Sequence, residues 1–208
     1  WTLDQAADYE SRGLWPMPVL DAELYTWGNN STGQLGDGTT TVRSSPVQIG
    51  ALTTWLQTAS GYSHTLATTT DGKLYAWGTN TPYGELGQGN TTNYSSPVQV
   101  GALTTWLQVA GGYSHSLAIK TDGTLWSFGR NFRGALGLGN ITDYSSPVQV
   151  GALTTWSDTS AGAYFSAATK TDGTLWCWGQ NTQGQLGDGT STNRSSPVQV
   201  GALTTWSK

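Results

Sequence analysis

The two histidines, His64 and His115, are the side chains best suited to acid–base or metal chemistry near neutral pH. They occupy equivalent settings, Gly61-Tyr62-Ser63-His64 and Gly112-Tyr113-Ser114-His115, and Ser166 takes the same place further along. No acidic or thiol ligand keeps a fixed distance from either, so both are expected to be hydrogen-bonded structural groups. Four glycine-rich loops, at Leu35-Gly36-Asp37-Gly38, Leu86-Gly87-Gln88-Gly89, Leu136-Gly137-Leu138-Gly139 and Leu186-Gly187-Asp188-Gly189, superficially suggest phosphate or calcium binding. A phosphate loop needs a following Lys and a helix. Calcium needs several oxygen ligands, and Gln88 and Leu138 remove the carboxylate from two of the four loops. Their glycines are expected to serve turns. Asp71, Asp122 and Asp172 each precede Gly, with Asp21 at the corresponding place, and hairpin-turn chemistry accounts for them. Cys177 aligns with Thr26, Ala76 and Ser127, a small-residue strand position, and is expected to be a buried inert thiol. A single Cys excludes an internal disulfide and a Cys-based zinc site. There is no nucleophile elbow and no metalloprotease helix motif. No catalytic residue, cofactor or metal ligand is assigned, and the chain is expected not to be an enzyme.

The elements that carry these residues repeat. Ser-Ser-Pro-Val-Gln-Val-Gly-Ala-Leu-Thr-Thr-Trp runs from Ser95 to Trp106, from Ser145 to Trp156 and from Ser195 to Trp206, and Ser44 to Trp55 differs only at Ile49. Aromatic-Gly pairs end at Gly28, Gly78, Gly129 and Gly179, a spacing of 50, 51 and 50 residues. That period belongs to propellers, solenoids and arrays. Within a unit the period is two. The third unit reads as strands at Trp106–Ala110, Ser116–Lys120, Thr124–Phe128 and Pro147–Val150, with an Asp122-Gly123 hairpin and Pro147 at a strand start. The fold class is therefore all-β: a β-propeller, or an open propeller arc, of about four four-stranded blades built on ~50-residue repeats. Units are expected at about 21–54, 55–104, 105–154 and 155–208, after an N-terminal arm of degenerate first strands at 1–20. In that arm Thr2-Leu3-Asp4-Gln5 fits a capping box and Leu14–Leu20 aligns with a second strand. Pairing of Thr204–Lys208 beside Leu14–Leu20 would close a ring; an arc completed by another chain is equally consistent. A lone blade cannot bury its faces, so neighbouring blades must supply the core. Leu24, Leu74, Leu125 and Leu175, and likewise Leu52, Leu103, Leu153 and Leu203, are expected to pack between blades.

Composition narrows the partners. The 208 residues include only 9 Lys and Arg against 13 Asp and Glu, for a net charge of -4, alongside 11 Trp and 28 Gly. Such a chain has little with which to neutralise phosphates, so nucleic acid is not an expected partner. No run of eighteen apolar residues is present, which excludes a transmembrane helix. The chain starts at Trp1, as a processed protein or a segment of a longer one would.

The unit from Gly61 to Ala67, Leu74 to Gly78, Gly84 to Gly89 and Pro97, with its counterparts, resembles the repeats of the regulator of chromosome condensation family over roughly residues 14–206. That resemblance implies a β-propeller, usually of seven blades, acting through its surfaces without a general catalytic triad. Family members include an exchange factor for a small nuclear GTPase, a plant ultraviolet receptor and a secreted bacterial β-lactamase inhibitor. This chain lacks basic tails. It reads Gly61-Tyr62-Ser63-His64-Thr65 where the ultraviolet receptor has Gly-Trp-Arg-His-Thr. Its near-identical polar units resemble in style the arrays of bacterial surface and marine-phage virion proteins.

The least repetitive positions lie in the loop between the third and fourth strands, where binding variation sits on a rigid scaffold. Arg130, Phe132 and Arg133, with Tyr83 and Tyr144, form the candidate interaction loop, since Arg and aromatics dominate interface hot spots. The expected function is a non-enzymatic structural or adhesion module on a virion (phage) or bacterial surface, outside the cell. Its partners are expected to be other proteins, copies of itself, or glycans. The alternatives are a regulatory propeller binding a small GTPase and a glycan-binding lectin.

Overall fold

Residues 22–206 are described by a computed structural model of the chain. The expected capping box at Thr2–Gln5 and the strand at Leu14–Leu20 lie outside the described residues, as do Ser207 and Lys208.

Among the described residues, fourteen strands fall into four successive antiparallel sheets. The first pairs β1 (Tyr25–Gly28) with β2 (Arg43–Gln48). The second is a meander of β3 (Trp55–Ser60), β4 (His64–Thr69), β5 (Leu74–Gly78) and β6 (Tyr94–Gln99). The third repeats it with β7 (Trp106–Gly111), β8 (His115–Lys120), β9 (Leu125–Gly129) and β10 (Tyr144–Gln149), and the fourth with β11 (Trp156–Ala161), β12 (Phe165–Lys170), β13 (Leu175–Gly179) and β14 (Arg194–Gln199). β1 and β2 thus correspond to the third and fourth strands of a blade. The hairpins joining second and third strands turn on Asp-Gly: the amide of Gly123 donates to the Lys120 carbonyl, and the Asp122 carboxylate accepts from the Thr124 amide and hydroxyl.

The fourth strand departs from expectation. It begins at Tyr144, not Pro147, which puts the proline inside it. The ladder is irregular between Tyr144 and Val148, and β10 lies at the edge of its sheet. An edge strand has one side that needs no partner, so a residue without an N–H is accommodated there.

The hydrophobic core lies between blades. Leu66, Leu74, Leu86 and Val100 of the second blade pack against Trp106, Val109, Ala118 and Phe128 of the third. Leu117, Ile119, Leu125 and Val150 of the third pack against Trp156, Ala168 and Trp178 of the fourth. Burial follows this stacking. β4 and β8, each flanked on both sides, are buried at every residue, whereas β12 alternates between half-buried and buried. At the other end Trp27 is 61% exposed although its counterparts Trp77 and Trp178 are fully buried. Among the described residues no hydrogen bond or ring contact joins residues 22–50 to residues 155–206.

The second leucine series corrects the expectation of inter-blade packing. Leu52, Leu103, Leu153 and Leu203 are exposed, in the connection from one blade to the next. They lie outside the strands, where the chain bends past Gly50, Gly101, Gly151 and Gly201 and no neighbouring sheet covers them.

Candidate functional site

Each loop after a third strand is built around one buried asparagine: Asn30, Asn80, Asn131 or Asn181. The Asn131 carbonyl oxygen accepts from the Leu136 amide at 2.9 Å, and its amide nitrogen donates to the Asn140 carbonyl at 3.0 Å. The other three asparagines bond the same way to Leu35, Leu86 and Leu186 and to Thr39, Asn90 and Thr190. One side chain therefore ties the start of each loop to two points further along it.

The aspartates of the glycine-rich loops belong to this scaffold. Asp37 pairs with Arg43 at 2.6 Å and Asp188 with Arg194 at 2.7 Å, and each accepts from its loop asparagine. These hydrogen bonds hold the Asp37 carboxyl down at about 2 against the effect of its burial. Where Gln88 and Leu138 replace the aspartate, Tyr94 and Tyr144 replace the arginine, and each tyrosine hydroxyl accepts from Asn90 or Asn140 at 3.3 Å. This alternation, Asp with Arg or non-acid with Tyr six residues on, is legible in the sequence and was missed there. It places Tyr144 in loop support, where it lines a separate cavity of about 430 Å³ with Leu138, Trp156 and Trp176.

The histidines bridge blades. Ser116 Oγ donates to the Glu85 carbonyl at 2.7 Å, so its lone pairs accept from His64 Nε2 at 3.0 Å. His115 repeats this with Ser166, whose hydroxyl donates to the Ala135 carbonyl. Ser166 is therefore the counterpart of Ser116 and not of the histidines: Phe165 pairs with Gly179 as His64 does with Gly78, because the turn before it is one residue out of step with the apparent alignment. Gly61 leaves room for the His64 ring, since a Cβ there would lie 2.1 Å from its Cε1. Burial pushes His64 down to about 4 and His115 down to about 3, the latter also opposed by His64. Both pKa values are depressed on folding, so the stabilisation is complete above pH ~6.5 and is lost as pH falls toward 4 and 3. The expected slope is about 1.4 kcal/mol per pH unit for each histidine within that window. Urea unfolding between about pH 7 and about pH 4.5 reads it, and a flat profile there would contradict neutral, buried histidines. Cys177 is buried and its thiol is pushed up to about 11 by that burial, which leaves it unreactive at neutral pH. Among the described residues no group of three His, Cys, Asp or Glu is placed to hold a metal ion.

Of the candidate interaction residues, four come together. The Arg130 guanidinium lies 4.4 Å from the Tyr83 ring centre and 4.8 Å from that of Phe132, and Arg133 lies 4.9 Å from Phe132. Phe132 meets Tyr164 edge-on at 5.2 Å. Tyr164 continues to Tyr113 at 5.4 Å, and Tyr113 stacks on Tyr62 at 4.3 Å. This ladder, with one tyrosine from each of three blades, was not singled out in the sequence. Its signal was the tyrosine shared by the Gly61-Tyr62-Ser63-His64 and Gly112-Tyr113-Ser114-His115 turns; in the third turn, Gly162-Ala163-Tyr164-Phe165, the tyrosine stands one residue later. Tyr62 is 69% and Tyr113 38% exposed, so the ladder is surface rather than core. Arg43 and Arg194 are neutralised by aspartates, whereas Arg130 and Arg133 rest on rings and form no salt bridge among the described residues. Arg133 also has φ 58, the one described non-glycine residue in the left-handed region, at a typical cost of about 1 kcal/mol.

Fold and face together define a repeat β-propeller with an aromatic, cationic surface formed by loops of successive blades. The regulator of chromosome condensation (RCC1) repeat matches residues 21–68, 71–119, 122–169 and 172–207, and the chain belongs to this family. The first three matches each run from just before the third strand of one blade into the second strand of the next, and the fourth covers β13 and β14. Among curated relatives, the ultraviolet-B receptor UVR8 of Arabidopsis thaliana is 38% identical over 115 residues, covering 53% of this chain and 26% of that protein. The protein RCC2 homolog of Xenopus laevis is 38% identical over 117 residues, covering 53% of this chain and 22% of that protein. The chain therefore spans about a quarter of the length of these two relatives. Among solved structures, human WBSCR16 superposes with TM-score 0.79 at 25% identity, covering 88% of this chain and 49% of that one. Prp20p of Saccharomyces cerevisiae, described with its binding to Gsp1p and histones, superposes with TM-score 0.76 at 24% identity over 88% of this chain and 47% of that one.

Proposed function

We propose that this chain is a non-enzymatic propeller module that binds another protein through the surface formed by Tyr62, Tyr113, Tyr164, Phe132, Tyr83, Arg130 and Arg133. The observation that carries this reading is the exposed aromatic ladder joined to two guanidiniums that lack carboxylate partners. Aromatic rings with stacked arginines are the groups that dominate protein interfaces, and the blades hold them at little entropic cost. The rings stack across blades into one continuous surface, which favours a single protein partner over one glycan site per blade. The proposal includes residues 21–208 as the binding unit with residues 1–20 as an arm, and a setting outside the cell on a virion or cell surface. Low charge and near-identical polar units support that setting. A second reading, a regulatory propeller for a small GTPase, is favoured by the likeness to Prp20p. Its test is nucleotide release from purified small GTPases, and no acceleration removes it.

The test of the first reading is retention of proteins from the source environment on immobilised chain. Arg130→Glu combined with Tyr113→Ser is expected to reduce capture of a given protein at least about tenfold, as loss of hot-spot residues does. Leu103→Ser, in a blade-to-blade connection, is expected to leave it unchanged. Equal capture by all three chains would overturn the assignment of this face.

A further inference from the structure

Beside the tyrosine ladder lies a cavity of about 210 Å³ lined by Tyr62, His64, Thr79, Tyr83, Glu85 and Tyr113, among others. Glu85 breaks the repeat. Its counterparts are Gln34, Ala135 and Gln185. Both glutamines are satisfied locally, Gln34 by the Thr32 amide and hydroxyl and Gln185 by the Gln183 amide. Glu85 is 2% exposed, and its Oε2 has no hydrogen-bond partner in the protein. Thr79 Oγ1, from the same cavity, is likewise buried without a partner. A buried, unpartnered carboxylate oxygen is costly, and two such acceptors in one cavity call for a donor from outside the chain.

We propose that this cavity binds an alkylammonium group, the side-chain terminus of a lysine on a partner protein, between Glu85, Thr79 and the rings of Tyr62, Tyr83 and Tyr113. The inference rests on the protein-binding reading of the same face and names the chemistry of the partner. An ammonium suits the site better than a guanidinium. It is a compact charge with three donors, whereas a guanidinium needs a bidentate carboxylate, and here one carboxylate oxygen is open. Tyrosine faces attract a cation further, and desolvation strengthens that attraction. Burial pushes Glu85 up to about 7, with Asp143 adding to the rise and the amides of Glu85, Gly84 and Tyr83 opposing it. The other titratable groups around the cavity are neutral His64, the three tyrosines and, over the Tyr83 ring, the Arg130 cation. Ammonium binding therefore competes with the Glu85 proton.

The test is an amide chemical-shift titration of the whole chain with Nα-acetyl-lysine methylamide, against Nα-acetyl-norleucine methylamide as the uncharged control. The lysine probe is expected to saturate in the millimolar range, shifting amides near residues 79–85 and 113–114. It is expected to bind about tenfold more weakly at pH ~6 than at pH ~8, because a group titrating near 7 is mostly protonated at the lower pH. Glu85→Gln, which installs the residue that Gln34 and Gln185 place at this position, is expected to fold and to lose the response. Equal shifts with the norleucine probe, retained lysine binding in Glu85→Gln, or no saturable response would each overturn the proposal. Should Glu85→Gln not fold, the pH comparison on the unmodified chain decides, and affinity independent of pH overturns it. Failure here alongside capture that still depends on Arg130 and Tyr113 removes the lysine pocket alone. Loss of that dependence removes the protein-binding reading of the face.

Discussion

Trp178→Ala is expected to lower the unfolding free energy by about 3–5 kcal/mol, the range for emptying a fully buried aromatic site. Trp178 has no exposed surface and sits between the third and fourth blades. Its ring meets Trp156 at 6.2 Å and lies so close to Gly137 that a Cβ there would be 2.8 Å from Nε1. Neighbours locked by two sheets cannot collapse into the space, so the cavity persists. The lost hydrogen bond to the Ala135 carbonyl, 2.9 Å long, matters less, because Ser166 Oγ donates to the same oxygen at 2.8 Å. Trp178→Phe is expected to cost less than the alanine change, since Phe128 fills the equivalent place one blade earlier. Leu56→Ala, at a position 53% exposed, is expected to fall within about 0.5 kcal/mol of the parent chain. Urea midpoints of the three variants read the order directly. A Trp178→Ala chain as stable as Leu56→Ala would mean that the blades are not held by their shared interior.

Asn131→Ala is expected to destabilise by about 2–4 kcal/mol and to disorder the binding face before it unfolds the blades. The substitution removes both anchors of one loop at once. It strands the buried Leu136 amide and the Asn140 carbonyl, each of which costs about 1–3 kcal/mol when left unpaired. Among the described residues no other side chain bonds either group. Phe132 and Arg133 ride on this loop, and a left-handed non-glycine residue such as Arg133 persists only where its surroundings hold it. The measurable signature is faster hydrogen exchange at Leu136 and Gly137 with protection in β8 and β9 retained. Asn131→Asp separates the two anchors, because a carboxylate accepts from Leu136 but cannot donate to Asn140. An exchange profile unchanged by either substitution would show that the loop is held by other contacts.

The blade count, the strand succession and the Asp-Gly hairpins were legible because they are local. A period of two, a turn dipeptide and a ~50-residue beat are written in adjacent residues and need no knowledge of the neighbouring blade. The misreadings have one cause. Pro147 looked like a strand start, and Leu203 and its counterparts looked like core, because both positions repeat as faithfully as the core does. Repetition marks a place in the blade, not whether that place faces another sheet.

The candidate site was half legible. Arg130, Phe132 and Arg133 stood out because they break the repeat in a loop of known position, and Tyr83 breaks it in the preceding unit. Tyr62 and Tyr113 escaped for the opposite reason, since they keep the beat and looked structural, and Tyr164 escaped because it stands one residue off that beat. Glu85 escaped because its neighbours in the Gly-x-Leu-Gly turn are glycines and a leucine, and nothing local marks that position as buried. The sequence by itself thus determined the all-β repeat, its ~50-residue beat and the place of the variable loops. Only the tertiary structure decided that tyrosines from three blades stack, that histidines bridge to serines on the next blade, and that Glu85 and Thr79 share a cavity. Each of those contacts depends on the offset and twist between successive sheets. That geometry arises from packing of whole blades and is carried by no single stretch of the chain.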